Sequence, residues 1–352
     1  MKKIQLLTGL LLIALLLASQ TGCSGPGYYF QAVSGQLKLM HAREDIHSLL
    51  ENPETRPELA GQLTLANQLL AFASDQLDLP SDGSYTSYVK VEGEALVWNV
   101  VATEAFSLEP RTWCFPVAGC VPYRGFFKQK KALDSAERLR NKGLDVYVSP
   151  AAAYSSLGWF RDPLLSTMLS GSEMRLAAYL FHELAHQRLY VKGDGKFNEA
   201  YASFVEQMGL TTWLENNRMH AELQQWQQMQ NAATDFRALI KDIRRQLTDL
   251  FLMNLTDAEK RQRKAKIFNT IPVQLDTLRA EKWQGKRYYA NWSEGPYNNA
   301  RLALFSTYEG GHCAFERLWV EANGDARTFH QLAKQKSRLQ GDTRSEWLNQ
   351  SC

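Results

Sequence analysis

Five consecutive residues, His182-Glu183-Leu184-Ala185-His186, constrain this chain more than any other feature. They sit in a strongly helical run, and histidines four positions apart share one helix face, one turn from each other. The apolar neighbours Leu176, Ala177, Leu180, Phe181, Leu184 and Ala185 predict a buried helix from Glu173 to Tyr190. Two unliganded imidazoles there would carry a desolvation cost, which argues against an ordinary surface pair. The spacing lets His182 and His186 reach one tetrahedral Zn²⁺, with Glu183 beside them able to take a proton from water acidified by the cation.

A third donor is available shortly downstream. Asn198 can cap a helix from Glu199 to about Leu214, and Gly193 and Gly195 allow the tight connection that makes the two helices antiparallel. Glu199 would then complete the ligand set, leaving the fourth position to water as catalytic zinc requires. Glu206, seven residues on, lies on the same face and could accept a hydrogen bond from the far nitrogen of a ligand histidine.

Around this centre the periodicity predicts an α+β fold that is predominantly helical. Helical spacing runs through Gly27 to Glu54 and again from about Pro57 to Leu77. Tyr85 to Val91 and Ala95 to Val101 flank Glu92-Gly93-Glu94 and read as a hairpin or two neighbouring strands. A helix over Lys131 to Lys142, ended by Gly143, precedes a short strand at Asp145 to Ser149. From Glu215 to about Lys282 the chain is long polar helix with an apolar stripe, and a final helix is predicted near Ala314 to Glu321. The expected organisation is a signal segment at 1–22, a catalytic region at 23–217 and a helical C-terminal region at 218–352 that closes the cleft.

Several blocks resemble known families. His182 to Gln187, HELAHQ, followed by NEAYASFVE from Asn198, is similar to the gluzincin aminopeptidases, which pair HELAHQ with a downstream NEGFA-type helix. Here only about a dozen residues separate His186 from Glu199, fewer than in those enzymes. Over nearly the whole mature chain the sequence resembles a bacterial family of predicted aminopeptidase lipoproteins. YYFQAVSGQL from Tyr28, TWCFPVAGCVPYRGFF from Thr112, AYSSLGWFRDPLLSTML from Ala153 and HELAHQRLYVKGD from His182 carry that resemblance. It implies a zincin-like core with a small β-sheet beside the HExxH helix, Zn²⁺ as cofactor and peptides as substrates.

The first residues read as an address: Lys2 and Lys3, then an apolar run from Leu6 to Ala18, too short for an ordinary spanning helix. Gln20-Thr21-Gly22-Cys23 resembles a bacterial lipobox, which implies lipidation at Cys23 and a place in the cell envelope. Ser24 lacks the acidic character of an inner-membrane retention signal, so the analogy favours the outer membrane, facing the periplasm. The four remaining cysteines allow three pairings; proximity favours Cys114 with Cys120 and leaves Cys313 with Cys352. Forty basic against thirty-seven acidic side chains, with no basic block interleaved with aromatics, argue against nucleic acid as a partner.

Peptide hydrolysis passes through an oxyanion, and Tyr154, Tyr201, Tyr308 and His312 are candidates to stabilise it. Tyr154 lies in a block, Ala153 to Asp162, that could form an edge strand holding extended substrate. Asp162 and Glu206 are candidates to grip a substrate amine, and Arg124 is expected in an ion pair. Exopeptidase and endopeptidase remain alternatives. A second class is a non-catalytic envelope lipoprotein that uses a structural zinc or serves as a scaffold.

Overall fold

The computed structural model describes residues 26–80, 83–115, 119–151, 161–307 and 311–350. Cys23, Tyr154, Tyr308 and Cys352 lie outside them. Helix α1 (Pro26–His41) leads through β1 (Glu44–Asp45) and α2 (Ile46–Glu51) into α3 (Pro57–Leu77), which starts at the proline and ends at Asp78 in the left-handed conformation. Strands β2 (Ser87–Val89) and β3 (Val97–Thr103) occupy the two β-rich stretches, followed by β4 (Trp113–Phe115), β5 (Gly119–Val121), β6 (Arg124–Phe126), α4 (Gln129–Arg140), β7 (Asp145–Ala151), β8 (Leu164–Leu165) and the short α5 (Ser166–Leu169). The rest is helical: α6 (Glu173–Arg188), α7 (Gly195–Asn216), α8 (His220–Leu252), α9 (Asp257–Phe268), α10 (Ile271–Glu281), α11 (Asn299–Thr307), α12 (His312–Glu321), α13 (Ala326–Ser337) and α14 (Gly341–Leu348). The chain is thus mostly helical with small sheets.

The expected hairpin between the first two β-rich stretches does not form. β2 pairs with β1 and, in parallel, with β8, whereas β3 is the centre of an antiparallel sheet ordered β6-β3-β7. The β6-β3-β7 sheet takes its apolar cover from α4. Val100, Ala102 and Val146 are buried there against Ala132 and Ala136 of α4. β4 and β5 form a separate ribbon, closed by the Cys114–Cys120 disulfide. Gly119 at its tip has φ +78°, and a Cβ there would stand 2.9 Å from the Gly193 nitrogen. The ribbon therefore rests against the loop between α6 and α7.

The largest core surrounds α6 and α7. Leu180, Phe181, Leu184 and Ala185 on one helix and Phe197, Tyr201, Val205 and Leu210 on the other are buried with Leu69 and Leu77 of α3. At the crossing stands Gly209, where a Cβ would lie 2.7 Å from Leu77 Cδ1 and 2.9 Å from Phe181 Cδ2. The absent side chain lets α7 approach the helix that carries the histidines. The chain does not end with α12, as the periodicity predicts. Phe329 and Ala333 of α13 and Leu348 of α14 return to this same core. A second core, of Phe236, Ile240, Ile243, Leu275 and Trp292 among others, holds α8, α10 and α11 together.

Candidate metal centre

α6 starts at Ser172, whose side chain accepts from Arg175 N, and ends after His186 and Arg188. α7 begins four residues earlier than expected: its N-cap is Asp194, whose Oδ1 accepts from Phe197 N at 3.0 Å. Asn198, expected as the cap, is 1% exposed and clamps Val191 instead, accepting from its N at 2.7 Å and donating to its O at 2.8 Å. That clamp ties the connecting loop to the first turn of α7, one residue from Glu199. The ribbon tip at Gly119 closes the loop from the other side.

This geometry brings His182, His186 and Glu199 together, with one donor atom from each within 4.8 Å of the others. His182 Nε2 is 3.4 Å and His186 Nε2 3.7 Å from Glu199 Oε2. Donors around a tetrahedral ion at about 2.1 Å are about 3.4 Å apart, so the spacing suits one small cation. Among the described residues neither Glu199 Oε2 nor His186 Nδ1, both buried, has a hydrogen-bond partner, and a bound ion would remove that cost at the carboxylate. The field is also right for a cation. Burial opposes charge on His182, but the Glu199 and Glu206 carboxylates outweigh it and hold the imidazole well above its ordinary pKa. Burial likewise pulls Glu199 upward, yet the two imidazoles outweigh it and bring its carboxyl down to about 2.

Glu206 Oε2 lies 3.0 Å from His182 Nδ1, on the nitrogen turned away from Glu199. Glu183 faces the same cleft, and burial raises its pKa against the opposing pull of His182 and His186. The cleft has a volume of about 1040 Å³. One wall is α6, another is the β6-β3-β7 sheet through Asn99 and Ser149, and a third is the helical C-terminal half through Trp226, Trp292 and Phe305.

A family model described as "putative aminopeptidase" matches residues 27–348. The chain belongs to the Aminopep family. No curated protein and no solved structure matches it. Membership of Aminopep makes a peptidase acting on peptides the activity to be explained, and the His182, His186 and Glu199 group a place that could bind the metal for it.

In this Aminopep chain several residues expected at the site are elsewhere. Tyr201 is fully buried in the core, and its hydroxyl donates to His330 Nδ1 at 2.7 Å, so it faces away from Glu199. His312 packs against the ring of Phe204 at 5.4 Å and is not among the residues lining the cleft. Asp162 is 1% exposed and does not line the cleft either, although its charge raises the pKa of Glu183. Among the described residues Arg124 has no ion-pair partner; its guanidinium stacks 4.2 Å from the Tyr28 ring. Tyr154 and Tyr308 lie outside the described residues. Of the tyrosines lining the cleft, Tyr123 and Tyr190 are the ones on which the Glu199 charge acts. Burial raises both, and the Glu199 charge adds to the shift in each. Their sequence signal lay in the family-like blocks around Cys120 and His182, where neither was distinguished from its neighbours. Cys114 and Cys120 are paired; Cys313 is disulfide-bonded, and its expected partner Cys352 lies outside the described residues.

Proposed function

We propose that this member of Aminopep is a zinc-dependent aminopeptidase of the gluzincin kind, with a zincin-like core, acting on peptides in the bacterial cell envelope. The observation that carries the reading is the convergence of His182, His186 and Glu199 on one point with Glu183 beside it. Zinc, the ion suited to two imidazoles and a carboxylate at this spacing, would supply Lewis acidity toward the scissile carbonyl and acidify a water.

The chain's own residues do the rest. Glu183, its pKa raised by burial, takes the proton from the attacking water and returns it to the departing amine. Glu206 accepts the His182 Nδ1 proton and so fixes the tautomer that leaves Nε2 free. Tyr123 and Tyr190 keep their protons at neutral pH, since burial pushes both pKa values up, and can donate to the developing oxyanion.

The envelope location rests on the apolar run from Leu6 to Ala18 followed by Cys23, which would be lipidated to anchor the protein to the outer membrane, facing the periplasm. It draws further support from α1, which begins three residues later and exposes Phe30, Val33 and Leu37 along one stripe. Fractionation should find the wild type with membranes and the Cys23→Ala variant released; an unchanged distribution would remove the anchor.

The decisive experiment is metal analysis together with hydrolysis of matched peptides with free and acetylated N-termini. Glu183→Gln should retain about one zinc per chain and lose turnover, and wild type should cleave only the free-amine peptide. Stoichiometric zinc with no chelator-sensitive cleavage of either peptide would leave the scaffold reading instead.

A further inference from the structure

The charged residues lining the cleft divide into two groups. Glu183, Glu199 and Glu206 gather at the metal centre; the other two are Arg175 on α6 and Arg301 on α11. Among the described residues neither arginine has a carboxylate within ion-pair distance. Other cations about as enclosed as Arg301 do: Lys264 pairs with Asp145, Arg279 with Asp276 and Arg344 with Asp194.

Arg301 is 3% exposed. It donates to Pro296 O at 3.0 Å and Asn291 O at 2.8 Å, and its guanidinium lies 4.3 Å from the Trp292 ring centre. Carbonyls and ring faces hold the cation in place but do not neutralise it, and burial lowers its pKa accordingly. Arg175 is exposed at the cleft; its Nε and Nη2 both donate to Tyr179 OH, at 2.9 and 2.8 Å. That hydroxyl fixes one edge of the guanidinium and leaves Nη1 for a ligand, in a group whose fork geometry suits a carboxylate.

Position along α6 sets a ruler. Arg175 precedes His182 by seven residues, two turns on the same face, which is about 10 Å of helix. An extended peptide advances about 3.3 Å per residue, so about three residues span that distance.

We propose, resting on the peptidase reading above, that Arg175 takes the free C-terminal carboxylate of a short peptide while Arg301 holds a fixed positive charge in the same cavity. The preferred substrates are then free oligopeptides of about three or four residues, and protein chains are poor ones. Elimination of the carboxylate charge, not of side-chain contacts, is what should weaken binding.

The test is calorimetric binding of a tripeptide and of its C-terminal amide to zinc-loaded Glu183→Gln protein, which holds the ligand without turning it over. The acid should bind about tenfold or more tighter than the amide. Adding Arg175→Gln should bring the two close to parity, and Arg301→Lys, which keeps the charge and removes the fork, should retain most of the preference. Equal affinity for acid and amide, or a preference untouched by Arg175→Gln, would overturn the proposal. Parallel hydrolysis by wild type separates the two readings. Equal cleavage of acid and amide sinks the carboxylate site and keeps the peptidase; selective binding without cleavage does the reverse.

Discussion

Glu206 Oε2 stands 3.0 Å from His182 Nδ1, so a carboxylate on the second helix of the core determines which imidazole nitrogen of the first helix faces Glu199. Removing it leaves a buried N–H with no acceptor and a ring free to turn. Glu206→Ala should lower metal affinity about 10- to 100-fold, read by competition with a chromogenic chelator, with Glu206→Gln in between. Wild-type affinity in Glu206→Ala would show that the contact does not orient the ligand.

Gly209 gives a prediction whose sign depends on packing. In an open helix, glycine to alanine stabilises by about 1 kcal/mol. Here the new methyl would meet Leu77 Cδ1 at 2.7 Å and the Phe181 ring at 2.9 Å, and both side chains are buried in the core. Overpacking should prevail, so Gly209→Ala is expected to lose about 1–3 kcal/mol in urea unfolding. Phe181 adjoins His182, so metal affinity should fall with it; a more stable variant would mean that the crossing has slack.

His330 makes the core sensitive to acid. It accepts from Tyr201 OH at Nδ1, 2.7 Å, and donates from Nε2 to Leu77 O, 2.8 Å, an arrangement only the neutral ring can make. Burial lowers its pKa from 6.5 to about 4. Between those values the unfolded chain binds a proton that the folded one does not, so stability is full above pH 6.5 and declines as pH falls toward 4. From pH 7 to pH 5 the loss should be about 2 kcal/mol. Denaturant midpoints over that range should shift less in His330→Gln, and identical shifts in both proteins would exclude His330 as the source.

Arg344 ties the last helix to the start of α7. It is a largely buried side chain that donates to Asp194 Oδ2 at 2.7 Å and to the carbonyls of Ser337 and Leu339 at 3.1 and 2.6 Å. Asp194 is the N-cap of the helix that presents Glu199 five residues on. Arg344→Ala should cost about 2–3 kcal/mol of thermal or urea stability and weaken metal binding. Removal of α14 with no change in metal affinity would show that the clamp serves stability alone.

Much of the centre was legible locally. The histidines and Glu183 follow from one helix turn, and the bounds of α3 and α6 follow from a proline, a serine cap and apolar spacing. The pairing of β2 and β3 was not legible, because two short strands separated by a Glu-Gly-Glu turn look alike whether they meet each other or distant partners. Tyr201 was misplaced for a related reason. It neighbours Glu199 in sequence by two positions, and on a helix that turns it about 200° away, into the core where His330 awaits it. The helices α13 and α14 escaped because their burial is supplied by α3, α7 and α12, hundreds of residues away in the case of α3.

The sequence by itself determined the donor types, their spacing on each helix and the Glu183 carboxylate beside them, since these depend only on helical pitch and side-chain chemistry. Only the tertiary structure decided that the two helices cross closely enough for Glu199 to meet the imidazoles, that Tyr123 and Tyr190 line the same cleft, and that two arginines with no ion pair among the described residues share it. Those are distances between segments remote in the chain, and they are set by how the glycine crossing, the Asn198 clamp and the returning C-terminal helices pack together, which no local pattern encodes.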